Sequence, residues 1–189
     1  MSSQKSLYTY YTPKLGANNS CSLSHELEES PYDLREILGG ESEKTTQILK
    51  NLYHIIEIIS YKHSIDWIGI YQKRKNINGD FVLVKLAYIG EPSRAEFPLN
   101  EKFAKTSNNS MVGLLGTEII VENISDYKGP YYQCDAKVKS EFCSAILGKN
   151  KNIIGIIDAE SFQKNFFKKE ILKDLRELCL NITENNLPS

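Results

Sequence analysis

The chain has 189 residues, 41% of them hydrophobic and 25% charged, and its 23 basic and 24 acidic side chains leave a formal charge of −1. That length suits one sizeable core rather than two, and so even a charge balance gives no whole-molecule field to draw nucleic acid or anionic lipid. No apolar run approaches the roughly 18 residues of a membrane helix and the polar N-terminus lacks an export core, so a cytoplasmic protein with no membrane partner is expected.

Residues 1–38 show no sustained period and are punctuated by Pro13, Gly16, Pro31 and, just beyond, Gly39-Gly40. They read as an arm, with Tyr8, Tyr10, Tyr11 and Tyr32 available to anchor it to the domain or to the second subunit of a homodimer. The domain proper is expected over 39–186. After Ser42, an N-cap residue, Ile48, Leu52, Ile55, Ile56 and Ile59 form one apolar stripe, which predicts a helix over 43–62. His54 and His63 on or beside it have no cysteine or carboxylate at metal spacing and read as solvated or core residues, so neither a metal nor an organic cofactor is expected.

Two β-rich runs follow, 67–72 and 81–89, with Asn78-Gly79 between them as a hairpin signal. From 97 to 116 the pattern is mixed: Asn100, Asn108 and Asn109 read as breakers and a short helix fits 111–115, before a strand at 118–121. A second hairpin is predicted from strands 140–147 and 152–158 around the turn at 148–151. Ile171, Leu175, Leu178, Cys179 and Ile182 then mark a closing helix over 166–184, with Cys179 on its buried stripe. The order helix, hairpin, variable middle, hairpin, helix predicts an α/β (α+β) fold: an antiparallel sheet with the terminal helices packed on one face and a ligand pocket on the other.

Chemistry concentrates in the second half. Cys134 is a thiol in a loop, and Glu141, Asp158 and Glu160 occupy alternate positions on neighbouring strands; they read either as a solvated rim or, if they converge, as a cluster whose mutual repulsion keeps at least one protonated near neutral pH. Trp67 and Tyr71 lie four apart on one strand and share a face, either as core aromatics or as a pocket wall. The four cysteines, Cys21, Cys134, Cys143 and Cys179, have no C-x-x-C spacing and read as reduced thiols.

Three segments, DWIGIY at 66–71, GPYYQCDAKVKSE at 129–141 and GIIDAES at 155–161, resemble the free methionine-(R)-sulfoxide reductase branch of the GAF domains, as a divergent member. The resemblance implies a GAF-type fold and reduction of free L-methionine-(R)-sulfoxide by the Cys134 thiolate, with a carboxyl of the Glu141, Asp158 and Glu160 cluster protonating the departing oxygen. It also implies that these acids hold the substrate's amino group, that Trp67 and Tyr71 enclose its methyl-sulfoxide end, and that a thioredoxin-like protein or small thiol restores Cys134. The chain departs from the family pattern where two further cysteines are usual: Arg94 and Ala104 stand there, and no cysteine lies between Cys21 and Cys134. Cys143 shares the strand face of Glu141 and is either a substitute resolving thiol or a small buried apolar residue, and Cys21 on the arm is a further candidate. The competing reading is a non-catalytic GAF module that binds an amino-acid-like ligand for sensing.

Overall fold

The computed structural model describes residues 6–16 and 26–189, so Cys21 lies outside the described residues. Two short strands, β1 (Thr9–Tyr10) and β2 (Tyr32–Asp33), pair antiparallel and lead into α1 (Leu34–Leu38). These are the first elements of a stretch whose sequence carries no period, because the segments are too short to show one.

The long helix α2 (Glu43–His63) begins at Ser42, whose hydroxyl accepts from the Thr45 N–H, and ends at Ser64 in the left-handed region. Its buried residues are Ile48, Leu49, Leu52, Ile56 and Ser60, the predicted stripe narrowed at its edges. Then come β3 (Trp67–Lys75), β4 (Phe81–Ile89), β5 (Glu96–Pro98), α3 (Glu101–Ala104), α4 (Asn108–Leu115), β6 (Ile119–Val121), β7 (Ser140–Leu147), β8 (Ile153–Ser161) and α5 (Lys169–Asn181).

One six-stranded sheet in the order β5-β4-β3-β8-β7-β6 results, every pair antiparallel. The two predicted hairpins, β3-β4 and β7-β8, meet at its centre through β3 and β8. Helices α2 and α5 pack on one face, α2 over β3 and β4 and α5 over β7 and β8, and they touch each other. Burial of Leu175, Leu178 and Cys179 fixes α5 there. The last helix is shorter than its apolar stripe suggests, since Phe166 and Phe167 pack edge to face before it starts. β8 runs three residues further than predicted, carrying Ala159, Glu160 and Ser161 along β7 and β3. Against the opposite face lies α4, in contact with β7, β8, β4 and β5.

Among the described residues no helix is long and apolar enough to cross a membrane.

Candidate functional site

The pairing of β3 with β8 sets Trp67 opposite Glu160 and Gly69 opposite Asp158, and the pairing of β7 with β8 sets Glu141 opposite Glu160. With a period of two, Trp67, Gly69, Tyr71, Asp158, Glu160 and Glu141 therefore rise from one face in a single patch. Gly69 is required at its place: a Cβ there would fall 2.5 Å from the Trp67 ring and 3.2 Å from that of Tyr71. Without it the two rings, 6.4 Å apart between centroids, lean together over the gap.

Helix α4 lies across this patch and presents its first turn to the acids. Asn108 Nδ2 donates to Glu141 Oε2 (2.6 Å), and Asn109 Nδ2 donates to Asp158 Oδ2 (2.8 Å). The Tyr127 hydroxyl donates to Asn108 Oδ1 (2.9 Å), which fixes the orientation of that amide. Sequence patterning treated both asparagines as breakers. They are instead inside a helix capped by Ser107, with their side chains buried. Ser107, which can cap, followed by two short polar residues, was the signal for a helix start; nothing local said that they would face carboxylates.

All but one of the sequence-predicted site residues line one cavity of about 20 Å³: Trp67, Tyr71, Cys134, Glu141, Asp158 and Glu160. Ser93, Phe97, Ser107, Asn108, Asn109 and Tyr132 complete its wall. Cys143 is the exception. It is fully buried on β7, opposite Asp158, with its Sγ 3.5 Å from Asn109 Oδ1, and burial followed by the nearby carboxylates pushes its thiol well up.

The electrostatics of the cavity follow from burying two carboxyls side by side. Burial, then the charge of Asp158, raises Glu141 well above the usual carboxyl range, against the pull of Asn108. Burial likewise raises Asp158 to about 7, opposed by the Asn109 amide and the Lys85 ammonium. Two carboxyls that cannot both ionise hold at least one proton between them at neutral pH, and Glu141 is the better holder. The second oxygen of Asp158, Oδ1, is buried without a hydrogen-bond partner, as is the Tyr131 hydroxyl in the covering loop. An orphaned carboxylate oxygen aimed into a cavity is a docking point for a donor.

A void of this size holds about one water, so an amino acid enters only when the cover moves. That cover is the loop 127–139, and Arg94 latches it: Nη1 donates to the Tyr132 hydroxyl (2.9 Å), and the guanidinium carbon lies 5.0–5.9 Å from the rings of Phe103, Tyr132 and Phe97. Arg94 is thereby a non-covalent tie between its own loop and the covering loop.

Solved structures of like shape include the type II free methionine-R-sulfoxide reductase from Thermoplasma acidophilum, with a TM-score of 0.62 and 19% identity over 72% of this chain and 90% of that one. The Neisseria meningitidis free methionine-R-sulfoxide reductase in complex with its substrate gives 0.58 and 18% over 77% and 83%. The GAF domain of the Acinetobacter phosphoenolpyruvate-protein phosphotransferase gives 0.57 and 14% over 76% and 81%.

The chain has a GAF fold.

No protein-family model and no curated relative matches the sequence. The terminal helices lie on one face of the sheet and the cavity on the other, as the order of the elements predicts.

Proposed function

We propose that this GAF domain reduces free methionine-(R)-sulfoxide, with Cys134 as nucleophile and an external thiol as reductant. The observation that carries the reading is that Cys134 lines the same cavity as Glu141, a fully enclosed carboxyl that burial pushes toward its protonated form. The Cys134 thiolate attacks the sulfoxide sulfur while Glu141 protonates the sulfoxide oxygen. The substrate S–O bond and the transient bond between the two sulfurs then break as the oxygen passes to Cys134 Sγ, so methionine leaves and Cys134 is left as a sulfenic acid. One thiol condenses with it, releasing water and forming a mixed disulfide; a second thiol frees Cys134 and leaves as the oxidised disulfide.

Asp158 and Glu160 would receive the substrate's ammonium, Asp158 through its unpartnered oxygen, while Trp67 and Tyr71 enclose the methyl end. The preference for a free amino acid over a peptide follows, since a peptide-bound residue has no ammonium to offer. Cys143 is sealed beneath Asn109 and its thiol is pushed up, which favours an external thiol over Cys143 as the resolving group. Thioredoxin-driven or dithiothreitol-driven turnover tests this: the (R) epimer of the free amino acid is consumed, while the (S) epimer and a peptide-bound sulfoxide are not. Binding of the (R) epimer without turnover under either reductant would establish the second reading, a non-catalytic amino-acid-binding GAF module, which the absence of cysteines at 94 and 104 favours.

A further inference from the structure

Lys85 is a fully buried lysine in the middle of β4, opposite Tyr71 on the pocket side of the sheet. Burying an ammonium costs several kcal/mol unless its donors and its charge are both met. Here Nζ donates to the Ser93 carbonyl (2.8 Å) and the Ser93 hydroxyl (2.7 Å), and it lies over the rings of Tyr88 (4.0 Å), Tyr10 (4.8 Å) and Trp67 (6.0 Å). The partners belong to the pocket: Trp67 and Ser93 both line it, and Ser93 also bonds the Tyr71 side chain.

One wall of this cage comes from outside the sheet. Tyr10, on the arm strand β1, donates its hydroxyl to the Lys85 carbonyl (2.7 Å), stacks on Tyr32 and meets Tyr88 edge to face, each at 5.5 Å. The arm is held from both ends, by Tyr32 donating to Glu96 (2.5 Å) and by the Tyr8 hydroxyl 2.8 Å from that of Thr46 on α2. It contributes a ring to a cation's cage rather than merely covering apolar surface.

Asp158 is faced by Glu141 and Cys143 of β7, Glu160 of its own strand, Tyr71 of β3, Tyr131 and Cys134 of the loop, neutral Asn109 of α4, and Lys85 of β4. In that set Lys85 alone is a cation, and its Nζ lies 4.0 Å from the ring of Tyr88, whose partner across the sheet, Gly69, is also the partner of Asp158. We propose that Lys85 is a positioning residue that keeps Asp158 available as a carboxylate for the ligand's ammonium, and that the docked arm completes the site by closing the aromatic cage through Tyr10. The inference rests on the functional reading above for the identity of the ligand, but its electrostatics are read without one.

The experiment is a carboxyl NMR titration of Asp158 in the ligand-free protein, in wild type, Lys85→Met, Lys85→Arg and Tyr10→Leu. Loss of the cation in Lys85→Met moves the Asp158 midpoint up; a shift of one unit from about 7 leaves about fivefold less carboxylate at pH 7. Tyr10→Leu moves it the same way by less, and Lys85→Arg restores it. An unmoved midpoint in folded Lys85→Met overturns the role of Lys85, and an unmoved midpoint in Tyr10→Leu overturns that of the arm. Should Lys85→Met fail to fold, Tyr10→Leu together with Lys85→Arg decides the matter: the proposal stands only if the first raises the midpoint and the second does not. Binding of methionine by wild type, followed through Trp67 fluorescence from pH 6 to 9, is read separately, so absence of binding at every pH removes the ligand assignment and leaves the titration result in place.

Discussion

Asp158→Asn removes an ionisable group from a buried site. Asp158 is 4% exposed, one of its oxygens has no partner, and its neighbour Glu141 is itself a buried carboxyl. Its folded pKa of about 7 lies above the ordinary aspartate value of 3.8, so the folded state binds the proton more tightly than the unfolded chain. Such a group contributes stability that is fully present below about pH 4 and is lost as pH rises through about 7. Three units correspond to about 4 kcal/mol as an upper bound, reduced because Asp158 and Glu141 share the proton. Asparagine cannot ionise, and its carbonyl oxygen still accepts from Asn109, so the variant escapes the loss. Urea denaturation at pH 4, 6 and 8 should find wild type and Asp158→Asn within about 1 kcal/mol at pH 4 and the variant more stable by about 1–4 kcal/mol at pH 8. A stability difference that does not grow with pH, or a variant weaker than wild type at pH 8, would refute this account of the buried pair.

Gly69→Ala should drive the Trp67 and Tyr71 rings apart, since the added carbon falls 2.5 Å from the Trp67 ring; a loss of about 1–3 kcal/mol in urea is expected, with ligand affinity lowered at least about tenfold. Retention of both would mean that the aromatic wall tolerates rearrangement. Arg94→Ala cuts the tie to Tyr132 and should speed ligand entry and exit by about threefold or more, about 0.7 kcal/mol off each barrier, read by stopped-flow fluorescence of Trp67, the chain's single tryptophan. Unchanged rates would show that the loop 127–139 does not gate the cavity. Cys143→Ala should leave thiol-driven turnover within about twofold, as removal of a small buried thiol outside the cavity should, while Cys134→Ser abolishes it. A large loss in Cys143→Ala, with the fold intact by circular dichroism, would restore Cys143 as the resolving thiol.

Much of the fold was legible because its core elements are long and periodic. The stripe from Ile48 to Ile59 and the two β-rich runs flanking Asn78-Gly79 each specify one arrangement, and the ends of β4 and β7 fall where the pattern puts them. What escaped was short or polar. β1, β2, β5 and α3 span two to four residues and show no period, and Asn100, read as a breaker, is the N-cap of α3.

The acids and aromatics of the site were legible as alternating positions on strands, and strand pairing alone brings them together. Their partners were not. Asn108 and Asn109 reach the acids from a helix some 30 to 50 residues distant in sequence, Lys85 reads in sequence as a polar interruption of an apolar strand, and Tyr10 belongs to an arm without pattern. Contacts set by tertiary folding leave no local period to read. Position 94 is the opposite case: that it carries no cysteine is plain in the sequence, but only the structure shows Arg94 holding the covering loop.

The most direct measurement is a single turnover of the reduced protein with one equivalent of free methionine-(R)-sulfoxide, without added thiol and with dimedone present to trap a sulfenic acid. The expected result is one methionine released per chain, with the dimedone adduct found by mass spectrometry on Cys134 and absent from Cys143 and Cys179. Bound sulfoxide with no methionine formed and no adduct on Cys134 would contradict it, and would make this GAF domain a binding module.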